Sequence, residues 1–164
     1  MTTVSVVIPG YNVEGFIGGA VESAWRQTLQ PTEVLVVDDG SSDATRDVAE
    51  RAGARVLRTD RNGGPATARN VGIHAAAGEV IAFLDADDLW EPEHVEACVA
   101  LLDAHPEAAL AFSLVSKFGG AEDDPAPLLP NAVPVDATSV LWEANPLAQS
   151  AAVVRRSALL AVGG

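Results

Sequence analysis

The sequence predicts an α/β fold: a doubly wound, mostly parallel central sheet with helices on both faces. Three observations carry that prediction. Strand-like and helix-like segments alternate three times in the first hundred residues, as they do where crossover helices join parallel strands. The strand segments, Val4 to Ile8, Val34 to Val37 and Val80 to Leu84, are nearly continuous apolar runs, so both of their faces are covered. Two of the runs end directly in acids, Asp38-Asp39 and Asp85-Ala86-Asp87-Asp88, at the rim where open sheets of this kind hold ligands.

In chain order, Val4 to Ile8 is a first buried strand, ended by Pro9-Gly10. Phe16, Ile17, Ala20, Val21, Ala24 and Trp25 recur at helical spacing, which predicts a helix over 14–27 despite Gly18 and Gly19. Glu33 to Val37 is the second strand, and the turn after it leads into a helix with Ser42 as N-cap and Asp43 complementing the dipole. Gly53 ends that helix, and Val56-Leu57 lies in a short third strand. Pro65 opens a helix that runs to about Ala77 and stops at Gly78. The acid-tipped strand follows, then a helix from Pro92 to His105 with Val95, Cys98, Val99 and Leu102 on one side. A fifth strand is expected over 109–115, an irregular excursion over 117–134, a short helix over 138–143, a last strand over 148–154 and a final helical turn over 157–162.

The 164 residues suffice for one domain with a real core, and 48% hydrophobic with 20% charged residues is ordinary for a globular chain. A net charge of −13 argues against a nucleic-acid partner and requires that any anionic substrate be compensated locally, by a metal or a few arginines. Cys98 is the only cysteine, which excludes an internal disulfide and a thiolate zinc cluster. Neither a signal peptide nor a transmembrane segment is legible, so the expected location is the cytoplasm, free or peripheral at the inner membrane face.

Four positions carry candidate chemistry. Three carboxylates packed into Asp85-Ala86-Asp87-Asp88 repel one another unless a cation is shared, and a divalent metal with oxygen ligands suits them. The competing reading is a surface turn of helix-start acids. Asp38-Asp39 would converge on the same rim, to accept from a base or ribose, or only to build a capping turn. The glycine pair in Asn62-Gly63-Gly64-Pro65 allows close backbone approach to a ligand, without matching a P-loop or a dinucleotide fingerprint. Arg69 lies one turn into the following helix and faces either the crevice or solvent. His74, His94 and His105 share no ligand spacing and read as surface or helix-end residues.

The order of these pieces is more specific than any one of them. Val4 to Asn12, then Val36-Val37-Asp38-Asp39-Gly40-Ser41-Ser42-Asp43, then Asn62-Gly63-Gly64 with Ala68-Arg69-Asn70, then Phe83-Leu84-Asp85-Ala86-Asp87-Asp88, closely resembles the family 2 glycosyltransferases. Strong motifs cover 3–115, and weaker ones reach Gly163-Gly164 through Asn145-Pro146 and Val153-Val154-Arg155-Arg156. The resemblance implies a single GT-A (Rossmann-like) domain over 1–164, and a nucleotide-diphosphate sugar donor, most often a UDP-sugar. It implies that Asp39 contacts uracil, that Pro9, Tyr11 and Arg69 help form the nucleoside pocket, and that Asp38 and Ala86 belong to the same donor site. Asp85 and Asp87 match the D-x-D motif, with Asp87 the metal ligand and Asp85 a ribose or metal-water contact; the cofactor is Mn²⁺ or Mg²⁺.

The resemblance also implies an inverting transfer to a hydroxyl of a saccharide or lipid-linked acceptor, as in polysaccharide or glycoconjugate synthesis. The family's catalytic base belongs to a Glu-Asp motif beyond a Gly-Gly-Phe-like segment. This sequence ends at Gly164, so no position inherits that role, and neither Asp136 nor Glu143 has the matching context. The expectation is therefore a GT-A domain shortened at its C-terminus, with self-association of the exposed apolar surface as a corollary. Two other classes compete. A non-catalytic nucleotide-sugar-binding module would bind without turnover. A nucleotidyltransferase would carry a Gly-rich, Lys- or Arg-containing loop where this chain has Pro9-Gly10-Tyr11-Asn12.

Overall fold

The computed structural model describes residues 1–113 and 148–163. The excursion over 117–134, the helix expected over 138–143 and Asn145-Pro146 lie outside the described residues. The described elements are β1 (Val4–Gly10), α1 (Ile17–Trp25), β2 (Glu33–Asp38), α2 (Thr45–Arg51), β3 (Arg55–Arg58), α3 (Pro65–Ala75), β4 (Val80–Phe83), α4 (His94–Ala104), β5 (Leu110–Phe112), a 3₁₀ turn (Gln149–Ala151), β6 (Ala152–Arg155) and α5 (Arg156–Ala161).

The strands form one sheet in the order β3-β2-β1-β4-β6-β5. β1 to β4 run parallel, and β6 is antiparallel to both β4 and β5. The predicted mostly parallel, doubly wound sheet is therefore present. Side-chain alternation divides each buried strand between two apolar layers. Val4, Val6 and Ile8 of β1 join Val34, Val36, Val80 and Ala82 beneath α1, α2 and α4. Val7 joins Leu35, Ile81 and Phe83 on the opposite face, against Ile73 of α3 and Leu159 of α5. Burying each such Val or Ile contributes roughly 1.5–3 kcal/mol. α3 sits close to β1 because Gly72 has no side chain; a Cβ there would lie 2.4 Å from Val7 Cγ1.

Several helix starts differ from the sequence reading, because caps arrive from distant residues. α1 begins at Ile17 rather than near Glu14, since Glu14 Oε2 accepts the Ala44 N–H at 2.8 Å and its own N–H donates to Asp43. α2 begins at Thr45, and Asp43, not Ser42, accepts the first free N–H at 3.0 Å. α4 begins at His94 rather than Pro92; Gln27 Oε1 accepts the Val95 N–H at 2.9 Å from across the fold. At its other end Arg155 donates to the Leu102 carbonyl in the last turn at 2.6 Å, a group of the kind that a helix terminus leaves open, and to the Ala108 carbonyl in the following loop at 2.8 Å.

His94 is a helix-end residue as expected, but it is buried rather than on the surface. It is 8% exposed, packs on the Trp90 ring at 4.9 Å between centroids, and shares a 3.0 Å hydrogen bond with Ser113 through Nδ1. Burial pushes its pKa down to about 4. Cys98 is buried on α4 as expected, and burial raises its thiol to about 11, which makes it inert as a nucleophile.

Candidate functional site

The carboxyl ends of β1, β2 and β4 and the loops that follow them meet at one rim of the sheet. β1 ends in buried Pro9 and Gly10, and the Gly10 carbonyl accepts the Asp39 N–H at 2.8 Å. Tyr11 follows with its side chain 47% exposed. Asn12 adopts a left-handed φ of 53°, which Asn tolerates better than most residues. Its N–H donates to Ser41 Oγ at 3.0 Å and its Oδ1 accepts the Ser42 N–H at 2.9 Å. The Val13 N–H adds a bond to Thr45 Oγ1 at 2.8 Å. The loops after β1 and β2 are thus laced together into one wall.

Asp38 and Asp39 are both buried, at 1% and 2% exposure, and have different tasks. Asp38 Oδ1 accepts the Ser41 N–H at 2.9 Å and Oδ2 lies 3.6 Å from Arg58 Nε, so this side chain builds the turn. Asp39 reaches across to the next loop. Its Oδ2 accepts the N–H groups of Gly63 and Gly64, at 2.9 and 2.7 Å, and its Oδ1 accepts the Thr59 hydroxyl at 2.7 Å. Gly40 permits the crossing: its φ is +79°, and a Cβ would sit 3.2 Å from the Asn62 backbone nitrogen. Gly64, at φ +87°, then turns the chain into α3.

α3 presents Arg69 to the end of β4. Arg69 Nη2 donates to Asp85 Oδ1 at 2.5 Å, with the two side chains 16% and 34% exposed. The crevice orientation is therefore the one adopted. Arg69 Nε is buried without a partner among the described residues. Beyond Asp85, Ala86 is buried and Asp87 is exposed, with no hydrogen bond or ion pair among the described residues. Asp88 Oδ2 accepts the Ser150 hydroxyl. Of the three acids only Asp85 has a cation for a partner; Asp88 has a hydroxyl, and Asp87 is free among the described residues.

Among the described residues no three His, Cys, Asp or Glu side chains gather into a cage for a metal. The donor set nonetheless fits a hard divalent ion. Such ions often take only one or two carboxylates and complete their sphere with water and substrate phosphate. Asp87 offers a free carboxylate, and Asp85 Oδ2 has no partner among the described residues. His74 is exposed and bonds the Asn70 carbonyl through Nδ1 at 2.8 Å, and His105 caps α4 and contacts Glu107 at 3.1 Å. Neither contributes to the rim.

Thr59 and Ser150 were missed in the sequence. Both are single hydroxyls without a motif around them, and they matter only because the fold brings them to Asp39, Asp85 and Asp88.

A family model described as Glycosyl transferase family 2 matches residues 5–162. The chain is 39% identical over 102 residues to WfgD of Escherichia coli, a UDP-Glc:alpha-D-GlcNAc-diphosphoundecaprenol beta-1,3-glucosyltransferase, covering 60% of this chain and 40% of that one. Among solved structures it is similar to S. aureus TarS (TM-score 0.79, 26% identity, 98% of this chain and 49% of that one), which has also been solved with UDP-GlcNAc and with UDP. It is also similar to the mannosyltransferase PcManGT of Pyrobaculum calidifontis, solved with GDP-Man and Mn²⁺ (TM-score 0.75, 25% identity, 99% and 47%). The chain spans 16 to 44% of the length of the curated relatives it matches.

Proposed function

This chain belongs to the Glycosyl transferase family 2, and from that premise we propose that it binds a nucleoside-diphosphate sugar for metal-dependent, inverting transfer to an acceptor hydroxyl. UDP is the proposed nucleotide, suggested by WfgD and TarS, and a saccharide or lipid-linked saccharide is the proposed acceptor class, suggested by WfgD. The observation that carries the reading is the line of partners along the rim: Asp39 to Gly63 and Gly64, then Arg69 to Asp85, with Asp87 free beyond them.

Each carboxylate oxygen offers about two acceptor positions. Asp39 Oδ2 has both filled by the glycine N–H groups, while Oδ1 receives only Thr59 among the described residues and has one position for a base N–H. Tyr11, exposed in the loop that follows β1, suits stacking on a base. Pro9 and Asp38 shape the floor, because both are buried at the strand ends. Arg69 holds Asp85 with Nη2, which keeps the guanidinium at the rim where the proposed donor would lie.

Asp87, with Asp85 beside it, would hold Mn²⁺ or Mg²⁺, which supplies charge neutralisation at the departing diphosphate. An acidic chain of net charge −13 needs such compensation to accept an anionic donor. Release of UDP from UDP-GlcNAc or UDP-Glc in the presence of Mn²⁺, above the rate without protein, tests the reading. Metal-dependent binding without any release would instead mark a non-catalytic binding module. Neither binding nor release of any nucleoside-diphosphate sugar would reject the proposal.

A further inference from the structure

Ser150 touches the acidic turn at two points and the Trp90 that follows it at a third. Its hydroxyl accepts the Asp85 N–H at 2.9 Å and donates to Asp88 Oδ2, and its carbonyl accepts the Trp90 indole N–H at 2.5 Å. A serine hydroxyl has one proton. Here it is committed to Asp88, while a lone pair holds the backbone of Asp85. Asp85 and Asp88 are also joined to each other, because the Asp88 N–H donates to the Asp85 carbonyl at 3.1 Å. The turn is therefore clamped at both ends by one side chain, with Asp87 between the clamped positions.

The clamp itself is well anchored. Ser150 is 5% exposed and belongs to the 3₁₀ turn that leads into β6. β6 pairs with β4 in the register Ile81 to Val154 and Ala82 to Val153, which holds the preceding turn against the end of β4. Trp90, 9% exposed, joins the core beneath the same segment.

We propose that Ser150 is a positioning residue for the proposed metal ligand: by holding Asp85 and Asp88 it fixes the turn from which Asp87 presents its carboxylate. The inference rests on the reading of Asp87 as that ligand. It assigns Asp88 to the clamp rather than to the metal, and it makes β6 part of the donor site through a contact that no motif records. Loss of a group that orients a metal ligand typically costs about ten- to a hundredfold in metal affinity.

The test is a titration of Mn²⁺ into UDP-saturated protein, read from the free-Mn²⁺ electron paramagnetic resonance signal, alongside UDP affinity measured without metal. Ser150→Ala is expected to weaken Mn²⁺ binding about tenfold and metal-free UDP binding by much less. Ser150→Thr, which keeps the hydroxyl, is expected to restore Mn²⁺ binding. Hydrogen exchange of the Asp85 and Asp88 amides is expected to speed up in the alanine variant. Should that variant fail to fold, Ser150→Cys, a weak donor of similar size, carries the same expectation. Unchanged Mn²⁺ affinity in the variants overturns the inference, as does an equal loss of metal-free UDP affinity, which would indicate general packing. Wild-type protein whose UDP binding ignores Mn²⁺ overturns both this inference and the metal reading it rests on. That result appears before any variant is made, so the two failures are distinguishable.

Discussion

Arg69 Nη2 lies 2.5 Å from Asp85 Oδ1, so the first carboxylate after β4 is already paired with a cation from α3. The clustered acids call for a shared cation, and part of it is internal. The pair is partly sheltered, with the Arg69 side chain 16% exposed, a setting in which a charge-assisted hydrogen bond outweighs a typical surface ion pair. It also links the loop held by Asp39 to the acidic turn, through the eleven-residue helix that carries Arg69.

A double-mutant cycle of Arg69→Gln and Asp85→Asn measures that link. Each single variant is expected to lose about 1–3 kcal/mol of stability, and the cycle to return a coupling of about 1 kcal/mol. Additive losses in chemical denaturation would mean that the pair contributes nothing as a pair.

His94 supplies a pH dependence whose sign is fixed. Burial lowers its folded pKa to about 4 from an ordinary 6.5. Below pH 6.5 the unfolded chain takes up a proton that the folded chain refuses, so stability from this residue is complete above that pH and declines toward pH 4. Between about pH 7 and about pH 5 the loss from this one group is about 2 kcal/mol. Urea unfolding of the wild type and of His94→Leu across that range checks it. The variant is expected to show a shallower slope, and identical slopes would exclude His94 as the source.

Gly72 tests the packing of α3 on β1. Ala is the better helix former by up to about 1 kcal/mol, yet its Cβ would fall 2.4 Å from Val7 Cγ1 in a buried layer. Gly72→Ala is expected to destabilise by about 1–3 kcal/mol, and Val7→Ala in the same chain to recover part of that loss. A rise in melting temperature for the single variant would refute the close approach.

The parts of the fold that were legible are those written in local pattern. The runs at Val4, Val34 and Val80 could only be buried strands, and their acidic ends followed. What escaped depends on partners far away in sequence. Gln27 caps α4 from across the fold, and Glu14 adds a distant acceptor at the start of α2 to the local one from Asp43. His94 is buried because Trp90 and Ser113 close over it. The side of α3 that Arg69 occupies was left open between crevice and solvent, and only the packing of Gly72 on Val7 settles it. Ser150 was invisible for the same reason: its importance comes from an antiparallel strand pairing that places it beside Asp85.

Asp87, exposed and free among the described residues, is the residue proposed to hold a divalent ion for a nucleoside diphosphate. Calorimetric titration of UDP into wild type and Asp87→Ala, each with and without Mn²⁺, tests it most directly. The account predicts that Mn²⁺ tightens UDP binding to the wild type by about tenfold or more, near 1.4 kcal/mol, and that Asp87→Ala removes the difference while leaving metal-free binding intact. Binding of UDP, GDP and dTDP that is indifferent to Mn²⁺ in the wild type, or a full Mn²⁺ effect retained in Asp87→Ala, would contradict it.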